Sequence, residues 1–273
     1  MFETRTSQST WALVFNFLEV TFYASVRKVR KGHGNALLSI VLSILQSLLF
    51  IAAFYLMFNF LGGRTVAVRG NFMVYLVSGI FMYLTHIQTV RAVMGAEGPT
   101  SAMMQHGPMN TLVSICSEAL AILYTQTIAI MCILLLIHTV VLPVEIHDWP
   151  GALRMFILVW ALGVVLGIIL MALKPWMPDL VPILSMVYIR ANMIFSGKMV
   201  LANMMPAMML PAFRWNPLFH VIDQTRGYVF VNYFPHNTNV AYPFYFCLAA
   251  LLVGMMFESY TRKHASASWD ARR

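Results

Sequence analysis

Arg190 is the side chain whose surroundings most restrict what this protein can do. It lies near the middle of the apolar run 180–199, in which the only other charged residue is Lys198. A charged side chain at the centre of a membrane-spanning helix costs about 2.5–3.5 kcal/mol even on a lenient insertion scale. Arg190 therefore requires a carboxylate partner, for which Glu118 is one candidate, or a water-filled cavity. Two interpretations stay open: a cation that lines the route of an anionic substrate, or an ion pair between helices.

Covalent catalysis and metal binding find no support in the residue pattern. Ser196-Gly197-Lys198 is similar to the end of a phosphate-binding loop, but Asn192 occupies the position of the first glycine. The chain contains 21 Met, and five of them fall between Met199 and Met209 with no Cys or His among them. Because methionine also fills irregular apolar surfaces, a copper(I) path is disfavoured. We predict no enzyme, no metal site and no nucleic-acid partner.

The composition shows which elements must position these residues. Hydrophobic residues make up 60% of the 273 residues and charged residues only 10%, whereas soluble domains average about 45–50% and about 25%. Lys and Arg number 18 against 10 Asp and Glu, a formal charge of +8, and the mean hydropathy is +0.73. So few charges cannot cover a water-facing surface, and we therefore predict an all-α integral membrane protein.

Long intervals without charge locate six predicted spans, since about 20 apolar residues cross a hydrocarbon core. They are roughly 37–60, 71–90, a span beginning a turn or two before Glu118, a span between Arg154 and Lys174, 180–199, and 241–258. Gly163 and Gly167 form a GxxxG pattern in the fourth span, which permits close contact between helices. Lys and Arg are more numerous on the side of the N-terminus, which predicts that both termini are cytoplasmic.

The predicted organisation has three parts: a cytoplasmic N-terminus with an interfacial helix (1–35), one six-helix transmembrane domain (36–258), and a cytoplasmic tail (259–273). The helix over 9–31 places apolar residues at helical spacing before a basic cluster. Cations of such a helix bind anionic lipid headgroups, although a short packed core helix is an alternative. The cluster consists of Arg27, Lys28, Arg30 and Lys31.

Two connecting segments also have unusual composition. The link 94–110 carries several Gly and Pro residues around a short helical piece, which suits either the docking of a soluble partner or an ordinary loop. Segment 200–239 is long, apolar and divided by Pro206, Pro211 and Pro217. Non-helical backbone at membrane depth requires cover by protein or a water-filled cavity, so we predict a re-entrant element of two short helices.

Several motifs together resemble one family. Phe195-Ser196-Gly197, the stretch from Arg214 to His220, then Asp223, Arg226-Gly227 and Tyr233 are similar to its signature around re-entrant helices. A second match runs from Gln105-His106-Gly107-Pro108-Met109 toward Ser117-Glu118-Ala119. The chain resembles the polysaccharide-export permeases of the ABC-2 transporter superfamily, and is most similar to the capsular polysaccharide branch. The resemblance implies the ABC-2 exporter fold in a bacterial inner membrane.

The resemblance also implies partners and residue roles. Two copies of the chain would form a channel, driven by two copies of a separate ATPase that carries ATP and magnesium. The cargo would be a lipid-anchored, often acidic polysaccharide, passed to a periplasmic adaptor and an outer-membrane exporter. The substrate-pathway candidates are Arg190, Tyr188, Phe54, Tyr55 and Tyr83, although most such aromatic residues face lipid. The outer-gate candidates are Lys198, Arg214, Trp215, His220, Asp223 and Arg226. The coupling candidates are Glu97, Gln105, His106 and Pro108.

Two alternatives remain at this point. The same machine could export a lipid-linked O-antigen or teichoic acid. A transporter or channel without an ATPase belongs to a different class, and such proteins commonly contain paired broken helices in repeated halves. The two halves of this chain show no convincing repeat.

Overall fold

The computed structural model describes residues 10–31, 36–60, 71–98 and 110–265. All regular structure within these ranges is helical. The helices are α1 Thr10–Lys31, α2 Ala36–Phe60, α3 Phe72–Met94, α4 Thr111–Val140, α5 Trp149–Leu173, α6 Leu180–Phe195, α7 Leu210–Arg214, α8 Pro217–Val229 and α9 Ala241–His264, with a 3-10 turn over Ala202–Met204. This agrees with the predicted all-helical class.

Five of these helices, α2, α3, α4, α5 and α9, are long and apolar enough to cross a membrane. They coincide with predicted spans and make the chain consistent with an integral membrane protein. The remaining predicted span, 180–199, contains α6, which has only 16 residues and ends at Phe195. At 1.5 Å per residue α6 is about 24 Å long, shorter than a hydrocarbon core of about 30 Å.

Polar caps at the helix starts explain several boundaries. The Asn71 side chain accepts a hydrogen bond from the backbone N–H of Met73 (2.9 Å), and Asp148 accepts one from Gly151 (3.0 Å). Asn216 caps α8 in the same way. Each cap satisfies an N–H that the first helical turn leaves without a partner. Short-range sequence therefore sets where α3, α5 and α8 begin.

Helix α3 forms the centre of the bundle. It packs against α2, α4, α5 and α8, and residues such as Leu76, Ile80 and Phe81 are fully buried. A helix that is apolar on all sides is stable when neighbours surround it. Helices α2, α4, α5 and α8 therefore lie around α3, whereas α9 packs against α5 and α8.

Helix α1 packs along α4. Thr21 and Ser25 lie on its buried face, whereas Trp11, Phe15 and Phe22 are exposed. The exposed face of α1 is therefore rich in aromatic side chains, as in helices that lie at a membrane interface.

At the other end of the chain, α9 continues to His264, six residues beyond the end of the predicted span at 258. The first part of the predicted tail, 259–273, is therefore helical.

The GxxxG pair of α5 lies against α3. A Cβ atom on Gly163 would lie 2.8 Å from Cβ of Thr89, and one on Gly167 would lie 2.6 Å from Cβ of Val93. Side chains are not tolerated at such distances without movement of one helix. The two glycines therefore set how closely α5 approaches α3.

We expect Gly167→Leu to destabilise the bundle by about 1–3 kcal/mol, because the added side chain overpacks the contact between α3 and α5. The measurement is the thermal unfolding midpoint of the purified protein in detergent. Ile157→Leu, at an exposed position of the same helix, is the control and should leave the midpoint unchanged. Equal midpoints for Gly167→Leu and the wild type would contradict the described packing.

Candidate functional site

Arg226 on α8 organises a polar cluster at the end of α6. Its side chain is fully buried, and its guanidinium donates hydrogen bonds to the carbonyl oxygens of Gly197 (3.0 Å), Val200 (2.8 Å) and Lys198. The guanidinium also lies 4.4 Å from the centroid of the Tyr75 ring on α3. Arginine suits this position because its rigid fork presents several donors at once. One side chain therefore joins α8, α3 and the turn after α6.

Asp223 lies about one turn before Arg226 and binds the segments on both sides of α7 and α8. Its carboxylate accepts hydrogen bonds from the Tyr233 hydroxyl (2.5 Å), the Thr238 hydroxyl (2.8 Å) and the backbone N–H of Ala202 (3.2 Å). Burial, and then the charge of Asp223, raise the pKa of Tyr233. The phenol therefore keeps its proton and acts as a donor to the carboxylate.

Two glycines make the approach of Arg226 possible. Gly197 has φ of +66°, and a Cβ there would lie 2.4 Å from the Phe219 ring. A Cβ on Gly79 of α3 would lie 2.1 Å from the Lys198 carbonyl oxygen and 2.6 Å from an Arg226 nitrogen. Glycine is the residue that tolerates both a left-handed backbone and such close contact. The positive φ of Gly197 also accounts for the end of α6 just before it.

The Lys198 side chain is enclosed by aromatic rings. Its Nζ atom lies 3.9 Å from the ring centroid of Tyr83, 5.2 Å from that of Phe50 and 5.4 Å from that of Phe54. The residue is 2% exposed, and within the described ranges its ammonium group has no hydrogen-bond partner. Attraction between the cation and the ring faces is the contact that holds it.

His220 and Asn216 join the same region to its neighbours. The His220 ring bonds the Arg214 carbonyl through Nε2 (2.9 Å) and the Asn239 N–H through Nδ1 (3.2 Å). These bonds require a neutral ring that donates at Nε2 and accepts at Nδ1, and burial lowers the pKa of His220 in the same sense. Asn216 donates to the side-chain oxygen of Asn192 on α6 (2.9 Å).

The structure therefore brings four predicted outer-gate residues, Lys198, His220, Asp223 and Arg226, into one buried region. We call this region the outer cluster, with Tyr233 and Thr238 included. Arg214 and Trp215 lie on the surface instead, and Trp215 is 83% exposed. Sequence reasoning missed Thr238, since a hydroxyl residue in a connecting segment carries no distinctive pattern.

A second polar region lies between α1, α2, α3 and α4. It is a cavity of about 490 Å³, which we call the inner pocket, with polar lining residues Lys28, Ser39, Ser43, Gln46, Gln88, Glu118 and Thr125. Lys28 Nζ lies 2.6 Å from Glu118 Oε1. The side-chain amide of Gln126 donates to that of Gln88 and is fully buried. Hydroxyl, amide and charged groups of this kind can bind the polar part of a ligand.

The inner pocket corrects one sequence expectation and adds residues to another. Glu118 pairs with Lys28, so it is not the partner of Arg190. Of the predicted headgroup residues, Arg27 and Arg30 are exposed, Lys28 is in the ion pair, and Lys31 is the last residue of α1. Sequence reasoning missed the three glutamines Gln46, Gln88 and Gln126. Their common signal is an amide within a predicted span.

Arg190 lies on an exposed face of α6. Within ion-pair distance of it there is no carboxylate among the residues that the structure describes.

The predicted pathway aromatics are largely engaged inside the chain. Tyr83 is buried and donates to the Ile189 carbonyl (3.3 Å), and the Tyr188 hydroxyl lies 2.7 Å from Nε2 of His86. Phe54 lies beside Lys198, and the Tyr55 ring packs against Phe72 with centroids 6.1 Å apart.

Of the predicted coupling residues, the structure describes Glu97. Its backbone N–H donates to the Ser114 hydroxyl at 3.1 Å, so it is tied to the start of α4. Gln105, His106 and Pro108 lie outside the described residues.

The fold and these polar regions define a multi-pass helical membrane protein with buried polar clusters. In sequence, the chain is similar to the polysialic acid transport protein KpsM of Escherichia coli, with 22% identity over 235 residues that cover 84% of this chain and 88% of the relative. A second sequence of the same name and organism matches with the same identity and coverage. No family model matches the chain.

We expect Arg226→Lys to destabilise the protein by about 1.5–3 kcal/mol, because a single ammonium group cannot replace a fork that binds three carbonyl oxygens. Thermal unfolding in detergent measures the loss, and limited proteolysis should show faster cleavage within 200–215. Arg214→Lys, at an exposed position, is the matched control. Unchanged stability in Arg226→Lys would show that the outer cluster does not depend on this guanidinium.

Proposed function

We propose that this chain is the transmembrane permease subunit of an ATP-driven exporter of a lipid-anchored, acidic capsular polysaccharide across the bacterial inner membrane. The observation that carries the proposal is the similarity to a polysialic acid transport protein over 84% of the chain. Because polysialic acid is a polyanion, the formal charge of +8 on this chain supports an acidic cargo. The helical bundle with five long apolar helices is what a permease requires.

In this proposal α6 is the fifth of six spans, and segment 200–239 is the re-entrant element before α9. Although α6 is short, the chain can still cross the membrane here, because the residues after Phe195 continue toward the outer side within the outer cluster. Within 200–239 lie two short helices, α7 and α8, whose connections are bonded through Asp223 and Arg226. Bonded backbone of this kind satisfies the requirement for irregular structure at membrane depth.

We further propose that two copies of the chain assemble through a surface that includes α6. Ile183, Val187 and Ile194 are exposed on this helix, with Arg190 among them. An arginine within an apolar exposed face needs a water-filled cavity or a second protein surface. A cavity between two copies would supply both, and it would place Arg190 on the route of the anionic cargo.

The energy source in this proposal is a separate ATPase, present in two copies and carrying ATP and magnesium. It would dock on the link 94–110, which contains Glu97. The inner pocket and the exposed Arg27 and Arg30 would receive the anionic headgroup of the lipid anchor on the same side. A periplasmic adaptor and an outer-membrane exporter would take the polymer from the outer end.

Removal of the protein from cells tests the function directly. In cells that lack the protein, we expect lipid-linked acidic polysaccharide to accumulate in the cytoplasm. In a separate experiment, we expect the protein purified from wild-type cells to be recovered with an ATPase subunit. The measurements are the composition of the retained polymer and transport in vesicles with and without ATP. Retention of an O-antigen or teichoic acid would support an ATP-driven permease but would contradict the capsular polysaccharide as its cargo. Transport that persists without ATP or an ATPase would contradict the proposal.

We expect Arg190→Ala to reduce polysaccharide export strongly while dimer assembly remains intact, because the variant removes a cation from the pathway and adds no bulk. Surface polysaccharide and crosslinked dimer are measured on the same cells. Met186→Ala, at another exposed position of α6, is the matched control and should export normally. Loss of folded protein in Arg190→Ala would show instead that Arg190 has a structural role.

A further inference from the structure

A groove opens between α4 and α5, with α3 and α8 contributing to its walls. Its volume is about 390 Å³, and its lining is almost entirely aliphatic and aromatic, including Val77, Met82, Ile130, Met131, Leu153 and Phe156. Met131 and Leu153 are 56% and 58% exposed, so the groove is open to the surroundings of the bundle. We call it the lateral groove.

The lateral groove offers little with which to hold water, because its hydroxyl hydrogens are already donated. Three hydroxyl residues, Ser78, Thr127 and Thr225, are part of its lining. Each donates its hydroxyl to a carbonyl of its own helix, at 2.8, 2.7 and 2.7 Å. A buried water needs two to four polar partners, and apolar cavities stay dry. In a groove formed by membrane-spanning helices, the available apolar filler is a lipid chain.

Trp149, Pro150 and the nearby Arg154 mark one end of the lateral groove. Trp149 and Pro150, at the start of α5, line that end. Arg154 lies one turn later with its side chain 69% exposed, 5.7 Å above the Tyr228 ring. Its contacts are weak: 4.0 Å to the Asp148 carboxylate and 3.4 Å from Nε to the Pro150 carbonyl. Tryptophan is typical of the headgroup level of a bilayer, and an arginine near the end of a helix can extend its guanidinium to that level.

We propose that the lateral groove binds one anionic phospholipid, with an acyl chain between α4 and α5 and the phosphate at Arg154. The guanidinium is available because its carboxylate neighbour is at the limit of ion-pair distance, and a phosphate offers it the bidentate geometry that it favours. With both termini in the cytoplasm, as the sequence predicts, this lipid belongs to the periplasmic leaflet. The site is independent of the cargo, since it depends only on the chain lying in a membrane.

The bound lipid has a structural consequence for the outer cluster. Thr225 and Val229 of α8 belong to the groove lining, and Thr225 directly precedes Arg226. An acyl chain in the groove would pack against α8 and hold α4 beside α5. We therefore expect lipid occupancy to stabilise the outer cluster along with the two spans.

The test uses full-length protein that has been delipidated in detergent and titrated with phosphatidylglycerol or with phosphatidylcholine. Bound lipid is counted by native mass spectrometry and stability is followed by thermal unfolding. We expect one tightly held phosphatidylglycerol per chain, with a rise in the unfolding midpoint. Arg154→Gln should weaken phosphatidylglycerol binding about fivefold, the effect of one cation at a membrane surface. Lys174→Gln, at the opposite end of α5, is the matched control.

A groove-filling variant separates this site from other lipid contacts. Ala152→Phe places a ring in the groove and should abolish the tight lipid, whereas Ile157→Phe, on the exposed face of the same helix, should leave it bound. A phosphatidylglycerol with a photoreactive acyl chain should label the peptides that contain Met131 and Leu153. Labelling elsewhere, equal binding by Arg154→Gln and Lys174→Gln, or a second copy of the chain occupying the groove would each overturn the proposal.

Discussion

Polar groups within a membrane protein must find their partners inside the protein, and the structure depends on how Arg226 meets this requirement. The end of α6 leaves backbone carbonyls without helical partners, and hydrocarbon supplies none. The Arg226 guanidinium bonds the carbonyls of Gly197, Lys198 and Val200. Gly79 and Gly197 leave the space that this contact needs. The connection from α6 to α9 is built on this contact, with Asp223 holding its far side.

Three other cations of the bundle differ in how they are accommodated. Lys198 lies under aromatic rings, and Lys28 pairs with Glu118. Arg190 lies among apolar side chains, and no carboxylate within the described ranges is at ion-pair distance from it. A charge that one copy of the chain leaves without a counter-ion is most simply accommodated where two copies meet around water. Arg190 is therefore the charge that links the single-chain structure to the proposed dimer.

The two cavities of the bundle have opposite chemistry. The inner pocket presents amide, hydroxyl and charged groups. In the lateral groove, the hydroxyl groups donate to carbonyl oxygens of their own helices. A polar cavity suits a headgroup or sugar, and an apolar one suits an acyl chain. For an exporter of a lipid-anchored polymer, separate places for cargo headgroup and structural lipid would keep bilayer lipids from competing with cargo.

The sequence by itself determined the membrane class, the positions of the five long helices and four of the residues that form the outer cluster. These depend on local quantities: intervals without charge, caps such as Asn71 and Asp148, and the glycine that follows α6. Only the tertiary structure decided which side chains meet. It paired Glu118 with Lys28 rather than Arg190, enclosed Lys198 beneath Tyr83, and gathered glutamines from three spans beside one pocket. Such contacts depend on how each helix is rotated and packed against its neighbours, and no local pattern of residues specifies that rotation.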